Sequence, residues 1–198
     1  MIIEMAMFQS KLVSMNRGQV GVTGSLLDLI KLVDAFKIIA KCAFMDCPGG
    51  VGKTFILNAI IHYCRANNLK VVATAYSGIA ANLLLGGRTC HSQFNLTLHA
   101  DANSSSNSRV KPRSKLGRYL MAADVIIIDE ASQLHKDHLQ TIHNTLVDLY
   151  KAFNPQHPPT YDTPFAGKVV ILSGDFRQVL PIIKFGGRTS IVEKVRLG

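Results

Sequence analysis

Apolar residues fall into two registers along this chain. Short apolar runs bounded by polar or turn residues, "KCAFMD" (41–46), "KVVATAY" (70–76), "DVIIIDE" (124–130) and "KVVILSG" (168–174), predict buried strands. Between them apolar positions recur at helical spacing in "KTFILNAIIHYCRANN" (53–68) and "HKDHLQTIHNTLVDLYKAF" (135–153), with shorter helices at "SGIAANLL" (77–84) and near "KLGRYLMAA" (115–123). Upstream, "SLLDLIKLVDAFKIIAK" (25–41) places Leu26, Ile30 and Val33 on one helical face, with Ser25 as its N-cap, after a weakly patterned start. "GGRTCHSQF" (86–94) reads as a loop with turn residues at both ends, "HADANSSSNSRVKPRS" (99–114) as a mobile polar surface loop, and "NPQHPPTYDTPFAG" (154–167) as a Pro-rich crossing. Strands alternating with helices predict an α/β domain, a parallel sheet with helices on both faces and its ligands at the carboxyl ends of the strands.

Composition narrows this only modestly. At 198 residues and 47% hydrophobic, the chain suits one globular domain. Its formal charge of +9 suits an anionic partner, because clustered Lys and Arg release counterions from a phosphate backbone; it suits a merely soluble basic surface equally well. Cys42, Cys47, Cys64 and Cys90 form no C-x-x-C pair and have no His at zinc spacing, so they read as reduced thiols of an intracellular protein. No apolar run approaches the roughly 20 residues that span a bilayer, and "MIIEMAMFQSKLVSMNRG" lacks the ordered regions of a signal peptide. A soluble, non-secreted protein with no membrane partner is expected.

The chemistry begins at "MDCPGGVGKTF" (45–55). A phosphate-binding loop reads G-x-x-x-x-G-K-[ST], and counting back from Lys53 puts Cys47 where the first Gly belongs. Cys47 stands at the loop's entry, away from Gly49, Gly50 and Gly52, whose backbone N–H groups would cradle the phosphates. Lys53 would neutralise β and γ oxygens, and the Thr54 hydroxyl would serve Mg²⁺. A bare Gly-rich turn before a helix explains the glycines but not Lys-Thr at the helix start.

In "VIIIDEAS" (125–132), a buried strand delivers Asp129 to hold the metal and Glu130 to orient and deprotonate the attacking water. Taken alone, an apolar strand ending in two acids is ordinary; its position after a phosphate loop gives it meaning. "LSGDFRQVLPI" (172–182) places Asp175, Arg177 and Gln178 in a turn at a strand end, where the Gln178 amide can donate to a γ-phosphate and accept from water.

In this order "DCPGGVGKTF", "AYSGIAANLLLGGRTCHSQF", "IIIDEAS" and "GDFRQVLPI" resemble the Pif-one family of ATP-dependent DNA helicases, especially its Helitron-borne branch, from about Asn16 to about Pro181. Small residues other than Gly occur in that family at the position of Cys47. The resemblance implies a RecA-like P-loop NTPase domain that uses ATP and Mg²⁺, with Pro48, Gly49, Gly50, Val51, Gly52, Lys53 and Thr54 on the nucleotide, Thr54 and Asp129 on the metal, and Lys53, Asp129, Glu130 and Gln178 in catalysis. "MNRGQ" resembles the start of the adenine-recognising segment, which makes Gln19 the base contact, although Gly18 departs from the usual acid. Ser77, Gly78, Thr89, His91 and Ser92 become candidates to touch the backbone of single-stranded DNA without reading sequence. Without the family context, His91 reads as a capped-turn or core histidine.

In its complete form such a helicase couples ATP hydrolysis to unwinding of forked duplex DNA in repair, recombination or telomere maintenance, in the nucleus or the mitochondrion. It consists of two RecA-like domains, with an arginine from the second reaching the γ-phosphate. Residues 1–198 carry the first domain, and nothing in "IVEKVRLG" or before it resembles the second. A competing reading is a domesticated module that holds ATP or single-stranded DNA without unwinding. A small P-loop kinase is a further competitor, but the chain has no Arg-rich lid and "GDFRQVLP" has no task there.

Overall fold

In the computed structural model, residues 1–31, 41–96, 110–156 and 163–178 are described. The four apolar runs form strands β1 (Cys42–Asp46), β2 (Val71–Ala75), β4 (Val125–Asp129) and β5 (Val169–Gly174), and a two-residue β3 (Arg88–Thr89) joins them. All pair in parallel in the order β1-β5-β4-β2-β3. β4 is buried along its whole length, which explains its unbroken aliphatic run.

Alternate strand residues face opposite layers. Ala73, Ala75, Val125, Ile127, Val169 and Ile171 pack with α2 (Arg17–Lys31), α3 (Lys53–Ala66) and α4 (Gly78–Leu83). Val72, Ile126, Ile128 and Val170 pack with α5 (Cys90–Phe94), α6 (Lys115–Met121) and α7 (Lys136–Phe153). The sheet is therefore covered on both faces. Its register aligns Asp46 with Gly174 and Ala75 with Asp129, which gathers the strand ends that carry the candidate chemistry along one edge.

Several local readings differ from the structure. The weakly patterned start is a helix, α1 (Ile2–Val13), docked on α3 through a Glu4–His62 pair and a Phe8–Tyr63 ring contact at 5.2 Å. Only Phe8 is buried in it while Ile2, Ile3, Met7 and Val13 are exposed, so its apolar residues do not gather on one core-facing stripe. Ser25 is not an N-cap, because α2 already begins at Arg17; its Oγ bonds back to the Gly21 carbonyl at 3.2 Å. The cap is Asn16, whose Oδ1 accepts from the Gln19 N–H at 3.0 Å while Gln19 Oε1 accepts from the Asn16 N–H at 3.0 Å. Gly18, Gly21 and Gly24, poor helix formers, hid the first half of this helix. The third of the apolar positions assigned to its face, Val33, lies outside the described residues.

"GGRTCHSQF" is not a loop: Arg88 and Thr89 pair with Thr74 and Ala75 of β2, and Thr89 Oγ1 caps α5 by accepting from the Ser92 N–H at 3.2 Å. Two- and five-residue elements are too short to show a period. Of the polar loop read at 99–114, residues 99–109 lie outside the described residues, and its end is structured, with Val110 buried and Ser114 capping α6. Residues 157–162 of the Pro-rich crossing also lie outside them.

The entry to β5 is fixed by Lys168, whose buried Nζ donates to the carbonyls of Met121 (2.7 Å) and Ala123 (2.6 Å) at the end of α6. Burial pushes this ammonium down to about 8, against an upward pull from Asp124. The folded state thus gives up the proton before the unfolded chain does. Its penalty is fully present below the folded value and is relieved as pH rises toward the ordinary lysine value of 10.5. Wild type should therefore gain urea stability relative to Lys168→Met between pH 8 and 10, and a difference that is flat or falls with pH would contradict this.

Candidate functional site

The loop after β1 folds as the glycines require. Gly50 (φ 79°) and Gly52 (φ 86°) occupy the left-handed region, and Gly52 directly precedes α3. A side chain on Gly49 would stand 2.5 Å from Gln178 Nε2, and one on Gly52 2.6 Å from Gln19 Nε2. Both amides therefore lie against the loop. Cys47 tolerates its place at the entry because its backbone does not take the positive φ that favours glycine, and its N–H continues the β5 ladder, donating to the Gly174 carbonyl at 3.1 Å.

Lys53 Nζ turns back over the loop and donates to the carbonyls of Cys47 (2.8 Å) and Pro48 (3.0 Å). The Gly49 N–H donates to Oδ2 of buried Asp175 at 3.0 Å. Arg177 lies 3.5 Å from Asp46 and 3.8 Å from Asp175. A lysine ammonium and an inward-facing glycine N–H, held by oxygens within the protein, form a cradle suited to phosphate.

Across the cleft, buried Asp129 accepts through Oδ1 from the Ser173 hydroxyl and from the Glu130 N–H at 2.9 Å, which anchors the carboxylate through one oxygen. Glu130 follows with a left-handed backbone (φ 55°), a conformation that costs a non-glycine residue about 1 kcal/mol and tends to persist at working sites. Its Oε2 accepts from the Ser77 hydroxyl at 2.6 Å and the Ser77 N–H at 3.2 Å. Lys53, Thr54, Asp129, Glu130 and Gln178 line one cleft of about 170 Å³. Thr54 and Asp129 put hard oxygen donors on its wall, a chemistry that fits Mg²⁺.

Gln19 reaches the loop from α2, donating through Nε2 to the Val51 carbonyl at 2.9 Å. The residues assigned to DNA gather beside the cleft. Ser77 and Gly78 follow β2, and Thr89, His91 and Ser92 follow in β3 and α5; the Tyr76 ring bridges the groups by meeting His91 edge-on at 5.9 Å. Partial burial, and next the His138 ring at 5.0 Å, push His91 below the ordinary imidazole value. Thr89 and Ser92 are bonded to each other as the α5 cap.

The sequence reading missed Ser132, Gln133 and Ser173. Ser132 and Gln133 line the cleft, and Ser132 Oγ also accepts from the Asp175 N–H at 3.3 Å. The available signal for Ser173 was a lone hydroxyl in an aliphatic strand. All four cysteines are free thiols, with burial raising Cys64 to about 12 and Cys90 to about 11. Among the described residues no helix is long and apolar enough to cross a membrane, and no His, Cys, Asp and Glu cluster forms a metal cage.

A parallel sheet with a glycine cradle after β1 and an acid pair after β4 defines a RecA-like P-loop NTPase domain. The chain belongs to the PIF1-like helicase family, whose sequence model matches residues 26–196. It is 38% identical over 139 residues to the ATP-dependent DNA helicase PIF4 of Trypanosoma brucei brucei, an alignment covering 69% of this chain and 16% of that protein. To the ATP-dependent DNA helicase Pif1 of a Psychrobacter species it is 33% identical over 142 residues, covering 72% and 20%. The structure superposes on unliganded Pif1 from Bacteroides with a TM-score of 0.62 at 26% identity, covering 86% of this chain and 34% of that one. A Pif1 helicase from Bacteroides in complex with ADP-AlF3 and single-stranded DNA gives 0.61 at 26% identity, covering 86% and 36%. The chain thus spans a fifth or less of these two curated relatives.

Proposed function

We propose that this chain is the ATP-binding and ATP-hydrolysing first motor domain of a DNA helicase. The observation that carries this is the convergence of Lys53, Thr54, Asp129, Glu130 and Gln178 on one cleft at the carboxyl edge of the sheet. With ATP as substrate, Lys53 exchanges the carbonyls of Cys47 and Pro48 for β and γ oxygens, and the loop N–H groups take the phosphates. Mg²⁺, held by Thr54 and Asp129, would supply charge neutralisation at those oxygens. Glu130 accepts a proton as the water oxygen bonds to the γ-phosphorus and the bond to the ADP oxygen breaks. Gln178 donates to the γ-phosphate and accepts from that water, while Gln19 is the base contact.

The structures of Bacteroides Pif1 bound to single-stranded DNA and of two coordinating Pif1 helicases at forked duplex DNA support the same substrates here. Ser77, Gly78, Thr89, His91 and Ser92 would follow the strand's backbone. Unwinding is proposed for the two-domain motor, in repair, recombination or telomere maintenance in the nucleus or mitochondrion. Oligo(dT) affinity, read by fluorescence anisotropy, should fall steeply with salt. The combined His91→Ala and Ser92→Ala variant should weaken it several-fold more. Salt-independent binding, or none at low salt, rules the DNA role out.

A further inference from the structure

Ser77 has two donors, its N–H and its hydroxyl, and both are spent on one atom, Oε2 of Glu130. Its hydroxyl oxygen meanwhile accepts from the Ala80 N–H at 3.2 Å and caps α4. A second tie runs alongside, from the Tyr76 N–H to the Asp129 carbonyl at 3.1 Å. The end of β2 is therefore latched to the acid pair at the end of β4. Glu130 is simultaneously part of the cleft wall with Lys53 and Thr54.

A serine hydroxyl has one hydrogen to give. Any phosphate oxygen that takes a donor of Ser77 must first displace the Glu130 carboxylate. We propose that Ser77 is the positioning residue that couples the two sites: without DNA it holds Glu130, and a DNA phosphate at Ser77 releases Glu130 toward the attacking water. This rests on the functional reading above, and it adds that a DNA phosphate and the Glu130 carboxylate compete for the donors of Ser77. Competition of this kind is reciprocal, so it can be read from DNA binding alone without any turnover. Removing Glu130 should leave Ser77 free for DNA.

The test is a double-mutant cycle of Ser77→Ala and Glu130→Ala in the 198-residue chain, with oligo(dT) affinity measured by anisotropy at low salt. Glu130→Ala should tighten binding about tenfold, the weight of a hydrogen bond to a charged group. In the Ser77→Ala background the same substitution should gain clearly less, because only the N–H of residue 77 is left to be released. Ser77→Thr, which keeps the hydroxyl, should restore the wild-type response. If Ala at 77 frays α4, visible by circular dichroism, Ser77→Gly serves instead, because Gly caps nearly as well as Ser. An equal gain in both backgrounds would mean that only a negative charge had been removed, and it would overturn the coupling, as would no gain at all. Absence of oligo(dT) binding by wild type would instead sink the DNA reading itself, and the coupling with it.

Discussion

Lys53→Ala should weaken Mg-ATP binding by about 100-fold or more while the domain stays folded. Among the described residues the ammonium is the one lysine on the cleft wall, and it rests on two loop carbonyls that a phosphate can replace. Each charge-assisted bond lost is worth about 1.5–3 kcal/mol, so two such bonds to phosphate oxygens reach the 100-fold range. The fold should tolerate the change because α3 is held by Ile56, Leu57, Ile60 and Ile61, all at 2% exposure or less, and none of these depends on Lys53. Losing the bridge to Cys47 and Pro48 loosens only the loop. Titration calorimetry with ATP and Mg²⁺, paired with a thermal melt, separates the outcomes. Equal affinities for wild type and variant would remove the cleft as the nucleotide site.

What could be read in advance tracks how local each signal is. β1, β2, β4 and β5 were legible because burial leaves a run of aliphatic residues, and α3 and α7 because each keeps an apolar face over several turns. The phosphate loop and the acid pair were legible because their chemistry sits within a few consecutive residues. β3, α5 and the first half of α2 were not, since the first two are too short for a period and the third is interrupted by glycines. The ties between segments were also invisible. Gly49 to Asp175 spans 126 positions and Ser77 to Glu130 spans 53, and only the register of a parallel sheet brings such residues together. Ser77 is the instructive case: the family resemblance offers it to DNA, whereas the structure has both its donors on Glu130.

Glu130→Gln should lower ATP hydrolysis by about 10²- to 10⁴-fold, the usual contribution of a positioned general base, with ATP affinity nearly unchanged. The amide keeps the shape of the side chain and an oxygen that can still accept from Ser77, so the αL turn at position 130 and the contact to α4 should persist. What it loses is the ability to take a proton from water. Asp129 cannot stand in, because it is buried and already anchored through Oδ1 to Ser173 and to the N–H of residue 130. Gln178 lies on the cleft but carries no base. Single-turnover hydrolysis, with oligo(dT) present and absent, reads the chemical step apart from nucleotide binding and product release. If Glu130→Gln hydrolyses ATP at the wild-type rate, the base lies elsewhere in the cleft. If it loses hydrolysis and ATP binding together, Glu130 instead helps to build the nucleotide site.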